Sequence, residues 1–186
     1  MRSALAAAIA LAVVGGCAPA PARPTAASPE RALVGLWVPS PPEVIGVMLE
    51  LADVRSTDVV YDLGSGEGEI VIEAARRSGA RAVGVELDHE RIENAARNAA
   101  AAGVTDRVAF IERDLFEVDI GDATVVTLYL LPELMQRLKP KLLQELRPGT
   151  RIVAHDFPLP DWPPEQVVEV PLDRVRHVYR WTVPPR

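Results

Sequence analysis

Short apolar runs rich in Val and Ile alternate along this chain with longer stretches whose apolar residues recur every three or four positions. The runs predict strands at Asp58 to Leu63, Arg81 to Glu86, Arg107 to Glu112, Ala123 to Tyr129 and Arg151 to His155. Between them, a helix from Glu67 to Ser78 is expected to bury Ile70 and Ala74 and to stop at Gly79. A second, from His89 to Ala102, presents Ile92, Ala95, Ala96 and Ala99 on one face and ends at Gly103. A connector holding Leu115 and Phe116 precedes the fourth strand. Leu134, Leu138, Leu142 and Leu146 mark a further helical segment, which Pro140 is expected to kink or split. Ahead of the first strand, Val44, Ile45, Met48 and Leu51 recur at helical spacing behind Ser40-Pro41-Pro42-Glu43, a sequence that predicts a capping box. Strands alternating with helices predict an α/β fold, a mostly parallel sheet with helices on both faces. After Pro164 the period changes. Gln166 to Val170 and Val175 to Val183 are β-rich with no helix between them, and predict an antiparallel hairpin closing one edge.

The first residues follow a different rule. Met1-Arg2-Ser3 is a positive start, and Ala4 to Val14 is an apolar run of signal-peptide length, too short to span a bilayer comfortably. Val14-Gly15-Gly16-Cys17 resembles a bacterial lipoprotein box and contains the one cysteine of the chain. Residues 1–17 therefore read as a signal peptide with a lipid anchor at Cys17, and 18–36 as a Pro/Ala-rich tether. Residues 37–186 remain for one folded domain. This organisation predicts an exported, membrane-anchored lipoprotein; without a functional signal the chain would stay cytoplasmic. Trp37-Val38-Pro39 leads into the first helix, either over a cofactor or simply packed. A net charge of −6 with no basic stripe argues against nucleic acid as a partner.

Candidate chemistry gathers where the first strand ends. Val59-Val60-Tyr61-Asp62-Leu63-Gly64-Ser65-Gly66-Glu67-Gly68-Glu69-Ile70 runs from an apolar strand through a glycine-rich turn into a helix, an arrangement that offers backbone to a nucleotide-like cofactor. The glycines depart from G-x-G-x-x-G, since the sixth position is Glu69, and no G-K-[ST] follows. Asp62, Glu67 and Glu69 would meet a pyrophosphate with like charge. S-adenosyl-L-methionine lacks phosphate and carries a sulfonium and an ammonium, so it is the expected cofactor. Two further acids stand at strand ends: Glu86, twenty residues past Gly66, where a ribose-binding acid belongs, and Asp114, placed to accept from an adenine amino group.

On these residues the stretch from about Val38 to Val170 resembles a class I S-adenosylmethionine-dependent methyltransferase with a Rossmann-like sheet. More narrowly it resembles the small protein-lysine methyltransferase family that includes mitochondrial enzymes acting on ATP synthase subunit c and the adenine nucleotide translocase. The matching motifs are Tyr61 to Gly68, Gly84-Val85-Glu86-Leu87, Val125 to Pro132 and His155 to Trp162. The resemblance implies cofactor binding by Asp62, Gly64, Gly66, Glu86 and Asp114, and the wider candidate set adds Ser65, Gly68, Leu87 and Leu115. It also implies a protein substrate, expected to be membrane-associated if the anchor is real.

The position after strand four reads Tyr129-Leu130-Leu131-Pro132 rather than Asn/Asp-Pro-Pro-Tyr, which argues against planar amide or adenine acceptors. An apolar slot with one tyrosine suits a lysine stem or a small lipophilic acceptor. A lysine must lose its proton before attacking, so Tyr129, His155 and Asp156 are the candidate catalytic residues; for His155 a structural role competes with that of a base. No metal is expected, because His89, His155 and His177 lie far apart in sequence. The competing function classes are a small-molecule methyltransferase and a lipid-anchored module that binds the donor without catalysis.

Overall fold

The computed structural model describes residues 38–186, so the signal, lipobox and tether expectations, and Trp37, lie outside the described residues. Helix α1 (Pro42–Leu51) leads into strand β1 (Val59–Leu63), which is buried along its whole length. There follow α2 (Glu69–Ser78), β2 (Arg81–Glu86), α3 (His89–Ala101), β3 (Val108–Glu112) and β4 (Val125–Leu128). Helix α4 (Pro132–Glu145), β5 (Arg151–His155), β6 (Gln166–Pro171) and β7 (Val175–Thr182) complete the domain. The seven strands lie in the order β3-β2-β1-β4-β5-β7-β6. The first five pair in parallel, and β7 inserts antiparallel between β5 and β6. The hairpin thus closes an edge as expected, with its second strand inward.

Alternate residues of the central strands feed two apolar layers, the consequence of a period of two. Leu63, Leu128, Ile152 and Trp181 pack with Leu134, Met135, Leu138 and Leu142 of α4 on one face. Val60, Val125, Val153 and Val178 meet Val44, Met48, Val71 and Ala74 of α1 and α2 on the other. The indole N–H of buried Trp181 donates to the Trp162 carbonyl at 2.7 Å, giving its polar edge a partner.

Two local expectations are corrected and one is narrowed. The N-cap of α1 is Pro41, with no side chain closing a capping box; the Ser40 hydroxyl is bound 2.9 Å from His155 Nδ1 instead. A buried imidazole nitrogen competes for that hydroxyl, and Pro42 needs no cap because it has no N–H. Pro140 does not split α4, which runs unbroken from Pro132 to Glu145. The bond lost at Pro140 belongs to the carbonyl of exposed Gln136, which water can satisfy, while Leu134, Leu138 and Leu142 hold the apolar face. On α3 the buried positions are Ala95 and Ala99; Ala96 is exposed, so the packed stripe is narrower than the run of alanines suggests.

Candidate functional site

The strand order reverses between β1 and β4, and ligands in open sheets of this kind sit outside the carboxyl ends of the strands at that switch. Gly64, Gly66 and Gly68 turn the chain there with φ of 87°, 53° and 86°. The turn is tied down to β2: Gly64 and Ser65 donate to the Val85 carbonyl at 2.8 and 2.9 Å, and Gly66 donates to Glu86 Oε2 at 3.0 Å. Space matters as much as the dihedral angles. A methyl on Gly68 would lie 2.8 Å from the Phe110 ring, and one on Gly64 2.8 Å from Leu130 Cδ2. The loop backbone is therefore wedged between β3 below and the β4 exit above.

Asp62 and Glu86 are both buried, on neighbouring strands. Asp62 Oδ1 accepts from the Thr127 hydroxyl at 2.7 Å, and Oδ2 has no hydrogen-bond partner among the described residues. Burial drives its pKa up to about 7, against the Thr127 bond and with help from the nearby Glu69 and Glu86 carboxylates. Glu86 accepts three backbone N–H groups, Gly66 on Oε2 and Leu87 and Asp88 on Oε1 at 2.8 and 3.0 Å. Two bonds fill Oε1, while Oε2 keeps one acceptor position for a hydroxyl. Asp114 Oδ1 accepts from the Phe116 N–H at 3.0 Å, closing the connector after β3 and leaving Leu115 half-buried against the core. These placements suit S-adenosyl-L-methionine. A buried carboxylate with a spare oxygen can meet a cation, a second carboxylate can receive a sugar hydroxyl, and the glycine backbone leaves no side chain in the way.

Other expected members are turned elsewhere. Ser65 Oγ is buried without a partner, against β2, 2.6 Å from where a Gly84 methyl would be. Glu67 Oε1 accepts from Asn94 of α3 at 2.8 Å, so its charge is committed to that helix rather than to the crevice.

Tyr129, His155 and Asp156 do come together, in an order the sequence does not show. His155 is fully buried, its ring stacked on Tyr129 with centroids 3.9 Å apart and planes at 28°. Burial holds its pKa below the ordinary imidazole value; Arg176 and Arg174 push the same way, and Asp156 opposes them. Asp156 Oδ2 receives Arg174 at 2.9 Å and Arg176 at 3.0 Å, and Oδ1 receives the His177 N–H at 3.1 Å. Burial raises the Asp156 pKa, but those donors and the Arg charges outweigh it and leave the group more acidic than usual. Its φ of 58° is left-handed, a conformation Asp tolerates better than most residues. The half-buried Phe157 ring lies 6.2 Å beyond Tyr129.

Sequence reasoning missed Thr127, Phe110 and Ser40. Thr127 was signalled by a hydroxyl inside the apolar run Val125-Val126-Thr127-Leu128; Phe110 carried no signal beyond a strand pattern; Ser40 was masked by its helix-start context.

A model of the ANTKMT methyltransferase domain matches residues 62–166. A protein-lysine N-methyltransferase of Saccharolobus islandicus is 46% identical over 149 residues, covering 79% of this chain and 92% of that protein. The adenine nucleotide translocase lysine N-methyltransferase of mouse is 42% identical over 117 residues, 62% of this chain and 51% of its own length; this chain thus spans about half of that relative. A crystal structure from Salinibacter ruber, described as an RNA methyltransferase in complex with S-adenosyl-L-homocysteine, is 54% identical with a TM-score of 0.77. It covers 80% of this chain and 95% of its own. With this sheet order, this glycine turn and these matches, the chain belongs to the ANTKMT methyltransferase-domain family, whose members use S-adenosyl-L-methionine as methyl donor.

Proposed function

We propose that this methyltransferase transfers its methyl group to a lysine side chain of a protein, with Asp62, Glu86 and Asp114 among the residues that hold the donor. The observation that carries the acceptor assignment is the wall after β4. Leu130 is buried over Gly64, Tyr129 is half-buried beside it, and neither residue offers the paired amide or carboxylate groups that grip a planar nitrogen. A slot of this kind accepts an aliphatic stem and leaves its terminal nitrogen free to point at the donor. The names of the lysine-modifying relatives support the same acceptor.

The bound donor supplies an activated methyl on a sulfonium sulfur. What the chain supplies is alignment and exclusion of water, worth roughly 7–11 kcal/mol when the reacting atoms are held in line. The lysine has to arrive neutral. Apolar walls lower an ammonium pKa by desolvation, and the Leu130 and Tyr129 surfaces are suited to that task. Asp156 is engaged by two guanidinium groups, which leaves it little basicity.

Incubation with donor labelled in the methyl group, followed by mass spectrometry of total cell protein and RNA, tests the proposal. Label on lysine side chains is the expected result. Label confined to RNA would favour the activity for which the Salinibacter ruber chain is named, a reading opposed by the net charge of −6. Donor binding with no transfer to any macromolecule would favour a small-molecule acceptor or a binding module.

We also propose that Cys17 carries a lipid anchor and that the enzyme works at a membrane on membrane-associated protein. The support is the Val14-Gly15-Gly16-Cys17 sequence behind a positive start and an apolar run. Among the described residues no helix is long and apolar enough to cross a membrane.

A further inference from the structure

Ser40 stands just ahead of α1 and His155 ends β5, 115 residues later, yet their side chains meet at 2.9 Å in a buried contact. On its other edge Nε2 is buried without a hydrogen-bond partner, 3.6 Å from Asp156 Oδ2, too far for a hydrogen bond but near enough to feel its charge. That carboxylate favours a proton on Nε2, and Nδ1 is then a lone pair that accepts from the Ser40 hydroxyl. Ser40 thus makes the one side-chain hydrogen bond the imidazole has among the described residues, and the face of the ring is what remains to act. Tyr129 lies on that face.

Sheet register explains why this matters for transfer. Asp62 on β1 is paired with Thr127 on β4, so Tyr129, two residues on, follows the same side of the sheet at its carboxyl end. Tyr129 is thus one step beyond the carboxylate we assign to the donor, where the acceptor has to enter. Phe157 limits the tyrosine ring on a further side.

We infer that Ser40 is a positioning residue for methyl transfer: through its bond to His155 Nδ1 it fixes the imidazole as a platform that holds the Tyr129 ring against the acceptor. His155 then serves as a support, not as the base that accepts the lysine proton. The inference rests on the acceptor site proposed above, and its test separates the two. It also gives the arm before α1 a part in the site, which the capping-box expectation did not.

Two measurements on the full chain decide it. Nitrogen-15 NMR of the imidazoles, assigned with H155F, reads which nitrogen carries the proton. A single Nε2–H tautomer between about pH 6 and 8 is expected, becoming a mixture in S40A and returning in S40T. An Nδ1–H tautomer or an imidazolium in the parent protein over that range overturns the inference. The second measurement is labelled-methyl transfer to total cell protein at saturating donor, with donor Kd from calorimetry. In S40A and in H155F, kcat is expected to fall about tenfold or more while donor Kd stays within about twofold, and S40T is expected to recover most of the loss. Melting curves show whether each variant is folded. Unchanged kcat in folded S40A overturns the inference, and so does a loss in H155F not shared by S40A, which would return His155 to the role of base. A parent protein that fails to bind donor, or binds it without modifying protein, removes the function proposed above and leaves the tautomer measurement to decide the Ser40 contact.

Discussion

Replacing Asp62 by Asn should make the protein more stable at neutral pH, and the gain should vanish as pH falls. Asp62 is 3% exposed, and its carboxyl is pushed from an ordinary 3.8 to about 7, chiefly by burial. The folded state therefore keeps a proton that the unfolded state has released throughout that window. The resulting stabilisation is complete below the ordinary value and is lost as pH rises to about 7, beyond which the curve is flat. Each pH unit well inside the window is worth 1.36 kcal/mol and the slope halves at the folded pKa, so between pH 5 and 7 the parent loses about 2 kcal/mol that D62N does not lose. Asparagine keeps an oxygen for the Thr127 hydroxyl, so packing and that hydrogen bond survive the change. Urea denaturation of both proteins at about pH 5 and 7.5 without donor measures the difference, and all other titrations cancel in the comparison. The expected result is equal m-values and a stability gap that moves by about 2–2.5 kcal/mol in favour of D62N at the higher pH. Parallel pH dependence of the two proteins would refute the reasoning, because it would mean that Asp62 is ionised in the folded state at pH 5. Saturating donor should shrink the slope of the parent, since a cation beside the carboxylate returns its pKa toward the ordinary value.

Three other changes test other parts of the structure. Gly84→Ala adds a methyl 2.6 Å from Ser65 Oγ and 2.7 Å from the Phe110 ring, at a backbone any residue can adopt; it should cost about 1–3 kcal/mol in urea and loosen the glycine turn, raising donor Kd. Glu86→Gln replaces one of two acceptor oxygens with a donor facing backbone N–H groups, so either Gly66 or the Leu87 and Asp88 pair loses its partner; calorimetry should show donor Kd raised by a factor of about 10 to 100, equivalent to about 1–3 kcal/mol. Cys17→Ser should move the protein from the membrane pellet to the soluble fraction on cell fractionation, and an unchanged distribution would count against the anchor.

Periodicity and turn chemistry are local properties, and they were legible. The limits of β2 and β5 match the expectation, β1, α3 and β3 agree to within a residue, and the hairpin after Pro164 is where the β-rich runs place it. The glycine turn and the acids at strand ends were also readable, because a turn that leads from a strand to a helix leaves few residue choices. What failed locally did so because a distant partner intervened. Ser40 has the sequence context of a helix cap and spends its hydroxyl on His155, and Glu67 looks like a lining acid and bonds to Asn94.

Sequence alone determined the class of fold, the position of the glycine turn and the expectation of a cationic nucleoside over a phosphate, since each follows from residue type at a fixed spacing. Only the tertiary structure decided which charges face the crevice, how far the Asp62 proton is held, and that Tyr129 rests on a buried histidine. Burial and contacts across the sheet set those properties, and both depend on residues brought together from β1, β4, β5 and the arm before α1 rather than on any one stretch of chain.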